Sequence, residues 1–111
     1  QAEALSGAEL HHGPLALIEP GYPVLLFAPR GPAQAGLLAL AADLRGRGAQ
    51  VLVAAPTEHA QAQLPLAPTA EVDLDPIAAL ASCYSMIEAL ARARGRDPDR
   101  PPHLTKVTRT R

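Results

Sequence analysis

The stretch "PVLLFAPRGPAQAGLLALAADLRGRGAQVLVAAP", residues 23–56, decides the fold, because two short hydrocarbon runs bracket a helical segment long enough to cross between them. Residues 23–28 ("PVLLFA") and 50–55 ("QVLVAA") are continuous apolar runs of strand length, the pattern of strands covered on both faces in a parallel sheet. Gly31-Pro32 opens the segment between them, where Leu37, Leu40 and Leu44 recur on one face of a helix over residues 33–47. Gly48 falls where a helix-ending glycine is wanted. The unit is therefore β-α-β, its strands adjacent and parallel and its crossover right-handed, and the fold class is α/β with an open parallel sheet flanked by helices in three αβα layers.

Outward from this unit the chain reads less regularly. Residues 2–11, rich in Ala, Leu and Glu, read as a helix stopped by Gly13-Pro14. The Pro- and Gln-rich connection over residues 56–70 holds at most one short edge strand around residues 63–66, since Pro65 removes a ladder donor. Asp75-Pro76 reads as an N-cap followed by a first-turn proline, and Ile77, Leu80, Tyr84, Ile87 and Ala91 mark a long amphipathic helix closing near Gly95. The remainder, "RDPDRPPHLTKVTRTR", is too rich in Pro and Arg for a core element. The division is residues 1–96 as the folded part and 97–111 as a tail.

Bulk properties exclude several functions. A chain of 111 residues is one domain at most, and a formal charge of −1 attracts neither nucleic acid nor an anionic membrane. The single cysteine, Cys83, has no partner for a disulfide or a CxxC metal site, which fits a reducing, cytoplasmic setting. No apolar run reaches the roughly eighteen residues of a membrane span. The chain starts at Gln1, inside the helix-like pattern, so a preceding segment is expected.

The chemistry is sparser. GxGxxG, Walker, HExxH and CxxC patterns are all missing, so no cofactor or metal is expected. His11 and His12 are consecutive and on a helix point about 100° apart, too far to share a metal. Imidazoles at that joint either favour a helix C-terminus or do acid–base work. Taken as a residue alone, Lys106 is a solvated cation in a polar tail.

Both ends of the chain carry a resemblance. "AELHHGPLALI", residues 8–18, is similar to the pattern G-E-L-K-H-G-P-L-A-L-I of the second SIS (sugar isomerase) domain in glucosamine-6-phosphate synthase-like and hexosamine-6-phosphate deaminase-like proteins. Glu9, Leu10 and residues 12–18 match it, while Ala8 and His11 replace the glycine and lysine. At the other end, Asp97, Asp99, Pro101, Leu104 and Lys106 resemble that family's closing D-x-D-x-P-x-x-L-x-K.

The resemblance implies a hexose or hexosamine 6-phosphate substrate and aldose–ketose isomerisation coupled to deamination or amination. It also implies a homodimer. His12 is the implied ring-opening residue, an imidazole able to donate to the ring oxygen and accept from the anomeric hydroxyl, and Lys106 is implied to reach the same site. Glu9, three residues before His12, either orients it or faces solvent. Two family features are missing from these 111 residues: the glutamate that shuttles a proton between C1 and C2, about four helical turns upstream, and the Ser/Thr-rich phosphate cradle. The chain alone is therefore expected to be inactive. The alternatives are the isomerase domain of a glutamine–fructose-6-phosphate transaminase and a non-catalytic phosphosugar-binding regulatory module.

Overall fold

The computed structural model describes residues 3–100. Three strands, β1 (Pro23–Phe27), β2 (Gln50–Pro56) and β3 (Leu64–Leu66), form one parallel sheet in the order β1-β2-β3. The β1–β2 register sets Val24 against Val51 and Leu26 against Val53, which puts these four side chains on one face. The α2 helix (Gln34–Gly46) lays Leu40, Ala41 and Leu44 on that face and closes the main core with Leu26, Val51, Val53 and Ala55. Leu44 and Val53 are fully buried.

Coverage on both faces, expected from the continuous apolar runs, is only partly found. On the face opposite α2, Ala54 packs with Leu66 and Ala79, and Phe27 and Leu64 lie against them. Leu25 and Leu52, side by side in register on the same face, are exposed. Both continuous runs thus serve a sheet covered on one face throughout and on the other toward the strands' C-terminal ends.

The edge strand is as short as Pro65 requires, three residues paired to β2 from Ala54 to Pro56. Just before it the Gln63 side chain takes over a ladder role: its Oε1 accepts from the Val53 amide at 3.0 Å and from Arg45 Nη2 at 2.7 Å. These bonds satisfy a backbone donor that β3 is too short to reach.

Across the C-terminal ends of the strands runs an ion pair. Arg30, in the turn after β1, donates from Nε to Asp75 Oδ2 at 2.6 Å and from Nη2 to Asp75 Oδ1 at 2.9 Å and to the Thr69 carbonyl at 2.6 Å. Thr69 adds its amide and its hydroxyl to Asp75 Oδ1. Asp75 is buried, and the Arg30 guanidinium followed by the Thr69 donors holds its carboxyl well below the usual carboxylate range. The N-cap expected at Asp75 is therefore corrected: its backbone is already helical, it is the first residue of α3 (Asp75–Ala93), and its carboxylate is given to Arg30 and Thr69.

The N-terminal helix is also shorter than the expected residues 2–11. The α1 helix spans Gly7–His11 and starts at a capping box, in which Ser6 Oγ accepts from the Glu9 amide and Glu9 Oε2 from the Ser6 amide.

By contacts the chain divides into Gln1–Ala79 and Leu80–Arg111. The second unit contains the rest of α3, which carries a Glu88–Arg92 ion pair and ends in a Schellman motif, with Gly95 N–H on the Arg92 carbonyl and Arg96 N–H on that of Ala91. Contrary to the sequence expectation, residues 72–93 are long and apolar enough to cross a membrane by length and composition. Of this helix only Asp75, paired with the half-buried Arg30, and Ala79 are buried, while Ile77, Leu80, Tyr84, Ile87 and Leu90 are exposed.

Candidate functional site

The capping box starts α1 one turn before the two histidines. His11 ends the helix and His12 caps it, its amide bonded to the Glu9 carbonyl at 3.1 Å. Gly13 and Pro14 then turn the chain into a 3-10 turn, Pro14–Leu17, closed by the Ala16 amide on the Gly13 carbonyl. Leu10, Leu15 and Ile18 pack against the main core, so apolar anchors before and after the histidines hold the segment while both imidazoles stay exposed. Glu9 accepts from the Ser6 amide, and the Ser6 side chain followed by that amide lowers its pKa from the ordinary value.

A second element meets this segment from the end of α2. Gly48 has φ +90, and a Cβ placed on it would lie 3.2 Å from both Cα and Cβ of Pro20. Only glycine allows that approach without strain. The Gly48 carbonyl accepts from the Gly21 amide at 2.7 Å, clasping the end of α2 to the turn that leads into β1. Arg47, the C-cap of α2, is thereby set beside the histidines.

The result is an open cleft of about 580 Å³ lined by His11, His12, Gly13, Leu15, Ala16 and Arg47. Three of these side chains carry or can take positive charge, and no carboxylate is in the lining. Arg47 donates through Nε to Asp43 Oδ2 at 2.9 Å, and among the described residues its two terminal nitrogens have no hydrogen-bond partner. The cleft sits where chain enters β1 and β2, at the N-terminal edge of the sheet, opposite the edge crossed by the Arg30–Asp75 pair.

Of the residues singled out in the sequence, His12 lines the cleft together with His11, and Glu9 shapes it through the start of α1. Lys106, with the Pro101 and Leu104 matches, lies outside the described residues. Among the described residues no group of three His, Cys, Asp or Glu side chains is placed to hold a metal. Arg47 was not legible as a site residue, since only the Gly48–Pro20 contact brings it to the HGP segment.

A parallel α/β unit that presents an HGP segment at the entry to its strands defines the class, a phosphosugar-isomerase-type fold. The crystal structure of an assigned phosphosugar isomerase from Silicibacter pomeroyi DSS-3 matches it with a TM-score of 0.73 and 39% identity, over 89% of this chain and 30% of that one. Among curated proteins the chain is 36% identical over 108 residues to the glutamine–fructose-6-phosphate aminotransferase (isomerizing) of Thermococcus kodakarensis, covering 95% of this chain and 18% of that protein. Against the enzyme of the same name from Aeropyrum pernix it is 37% identical over 113 aligned residues, 96% of this chain and 18% of the relative. The chain thus spans about a fifth of the length of these relatives. No protein-family model matches it. The likeness to SIS-type phosphosugar proteins read from the two end motifs is shown along nearly the whole chain.

Proposed function

We propose that the protein to which this chain belongs acts on a hexose or hexosamine 6-phosphate, coupling aldose–ketose isomerisation to gain or loss of the amino group. The observation that carries this is the HGP cleft, in a chain whose relatives are named aminotransferases and whose structural neighbour is named a phosphosugar isomerase. In this reading His12 opens the sugar ring: its neutral imidazole takes the proton of the anomeric hydroxyl, and the imidazolium so formed gives that proton to the ring oxygen as the bond from C1 to the ring oxygen breaks and the carbonyl forms. Gly13 and Pro14 hold that imidazole at the rim of the cleft. Glu9 acts indirectly, by starting α1 one turn earlier. Lys106 reaches the same substrate from the tail, residues 97–111.

The 111 residues by themselves turn over nothing, because neither the C1–C2 base nor the phosphate cradle implied by the resemblance is among them. The working protein is a cytoplasmic homodimer without cofactor, nucleic acid or membrane. The curated relatives favour the isomerase segment of a glutamine-dependent transaminase, whereas the solved neighbour is named a phosphosugar isomerase; a deaminase is the further reading to test. Supplying the full-length protein with fructose 6-phosphate and glutamine, or with glucosamine 6-phosphate alone, separates these. Glucosamine 6-phosphate formed in the first mixture identifies the transaminase, and ammonia released in the second identifies the deaminase. Binding without turnover of either substrate leaves the regulatory module and refutes the enzymatic reading.

A further inference from the structure

The sheet is open on the β1 side, at its edge and on one face together. β1 is the outer strand, and its ladder can be followed residue by residue. The Tyr22 carbonyl accepts from the Gln50 amide and the Ala28 amide donates to the Ala54 carbonyl, both at 2.8 Å. With Pro23 opposite Gln50 and Phe27 opposite Ala54, the even-numbered residues of β1 therefore turn their backbone groups to β2. The amides of Leu25 and Phe27 point out of the edge, as do the carbonyls of Pro23 and Leu25, and among the described residues no strand pairs with them there. Exposed edges of natural sheets are blunted by lysine, inward charges or bulges. β1 has no charged residue, and only Pro23, at its first position, lacks a donor. Beside this edge, on the face opposite α2, Leu25 and Leu52 lie next to each other and are 37% and 49% exposed. Parallel strands of nearly continuous hydrocarbon are ordinarily covered on both faces.

We propose that the open side of β1 is the docking site for another segment of the same polypeptide, which adds a strand to the edge and lays the apolar face of a helix over Leu25 and Leu52. The length of the relatives favours that occupant. These 111 residues span about a fifth of the curated relatives and 30% of the solved neighbour, so a protein of that kind has ample chain outside them. A tethered segment also meets the edge at a far higher effective concentration than a free partner does. A second copy paired edge to edge would satisfy the outward amides, but its own sheet has the same bare strip and brings no helix to this one.

The competing account is ordinary surface, since single exposed leucines are common on folded proteins and an outer strand can face water. Two measurements on the full-length protein separate the accounts. Hydrogen exchange resolved to single amides carries its own control, because the Val24 and Leu26 amides face β2 and exchange slowly on either account. The docked strand predicts that Leu25 and Phe27 are also slowed, by about 100-fold or more relative to free chain. Exchange of Leu25 and Phe27 near the free-chain rate, with Val24 and Leu26 slow, overturns the proposal. The second measurement replaces Leu52 with the photo-crosslinking residue benzoylphenylalanine, after circular dichroism has shown that the variant keeps its fold. Irradiation is expected to give a product of single-chain mass in which position 52 is joined to a residue outside these 111. A product of twice that mass assigns the strip to a second copy, and reaction with solvent alone leaves it bare; either result overturns the proposal.

Discussion

Replacing Gly48 with alanine tests whether the clasp that builds the cleft is rigid, and Gly21 supplies the control. Both glycines have left-handed backbones, φ +90 and +85, but a Cβ on Gly21 would meet nothing within 4 Å, whereas on Gly48 it would lie 3.2 Å from Cα and Cβ of Pro20. An alanine in that region costs about 1–2 kcal/mol, offset by about 0.4–1 kcal/mol from its stiffer unfolded chain. Gly21→Ala should therefore cost about 1 kcal/mol. Gly48→Ala adds a clash with backbone and a proline ring, neither of which can rotate away, and overpacking of that sort costs about 1–3 kcal/mol more. The gap between the variants is worth about 5–20 °C in Tm for a unit of this size. Urea and thermal unfolding followed by far-UV circular dichroism measure it. Coincidence of the two variants within about 0.5 kcal/mol would show that Pro20 yields freely and that the clasp does not position Arg47.

In the full-length protein, His12→Ala should slow reaction of the cyclic sugar phosphate by about 10²- to 10⁴-fold and largely spare an open-chain analogue in steady-state assays. Leu44→Ala, at a fully buried core position, should cost about 2–5 kcal/mol in urea unfolding. The depressed pKa of Asp75 gives a sign: the unfolded chain takes up protons first, so this group's stabilisation is complete above about pH 4 and is lost as pH falls below it. Acid titration of stability should accordingly show a shallower loss below pH 4 in Asp75→Asn, whose side chain does not titrate.

The β-α-β order was legible because hydrocarbon runs of strand length and leucines at helical spacing are local signals. The start of α1 was legible too, in Ser6-x-x-Glu9, but the surrounding Ala, Leu and Glu favour helix on composition and drew the expected boundary outward. Exposure at Leu25 and Leu52 was not legible, since a continuous apolar run looks the same whether its second face is covered at one end or along its length. The Arg30–Asp75 pair and the place of Arg47 depend on contacts between residues far apart in sequence, and no short-range pattern encodes them.

That long-range ion pair also bears on time as well as stability. Arg30 follows β1 and Asp75 follows β3, 45 positions on, so the loop that the pair closes contains the whole of β2 and β3 and the pair is expected to form after both strand pairings. A contact that waits for every crossover to close comes late in assembly, after the loop-closure entropy has been spent. Its energy therefore falls mainly on the unfolding rate: the pair does little to hasten the making of the sheet and sets how long the finished sheet lasts before it opens.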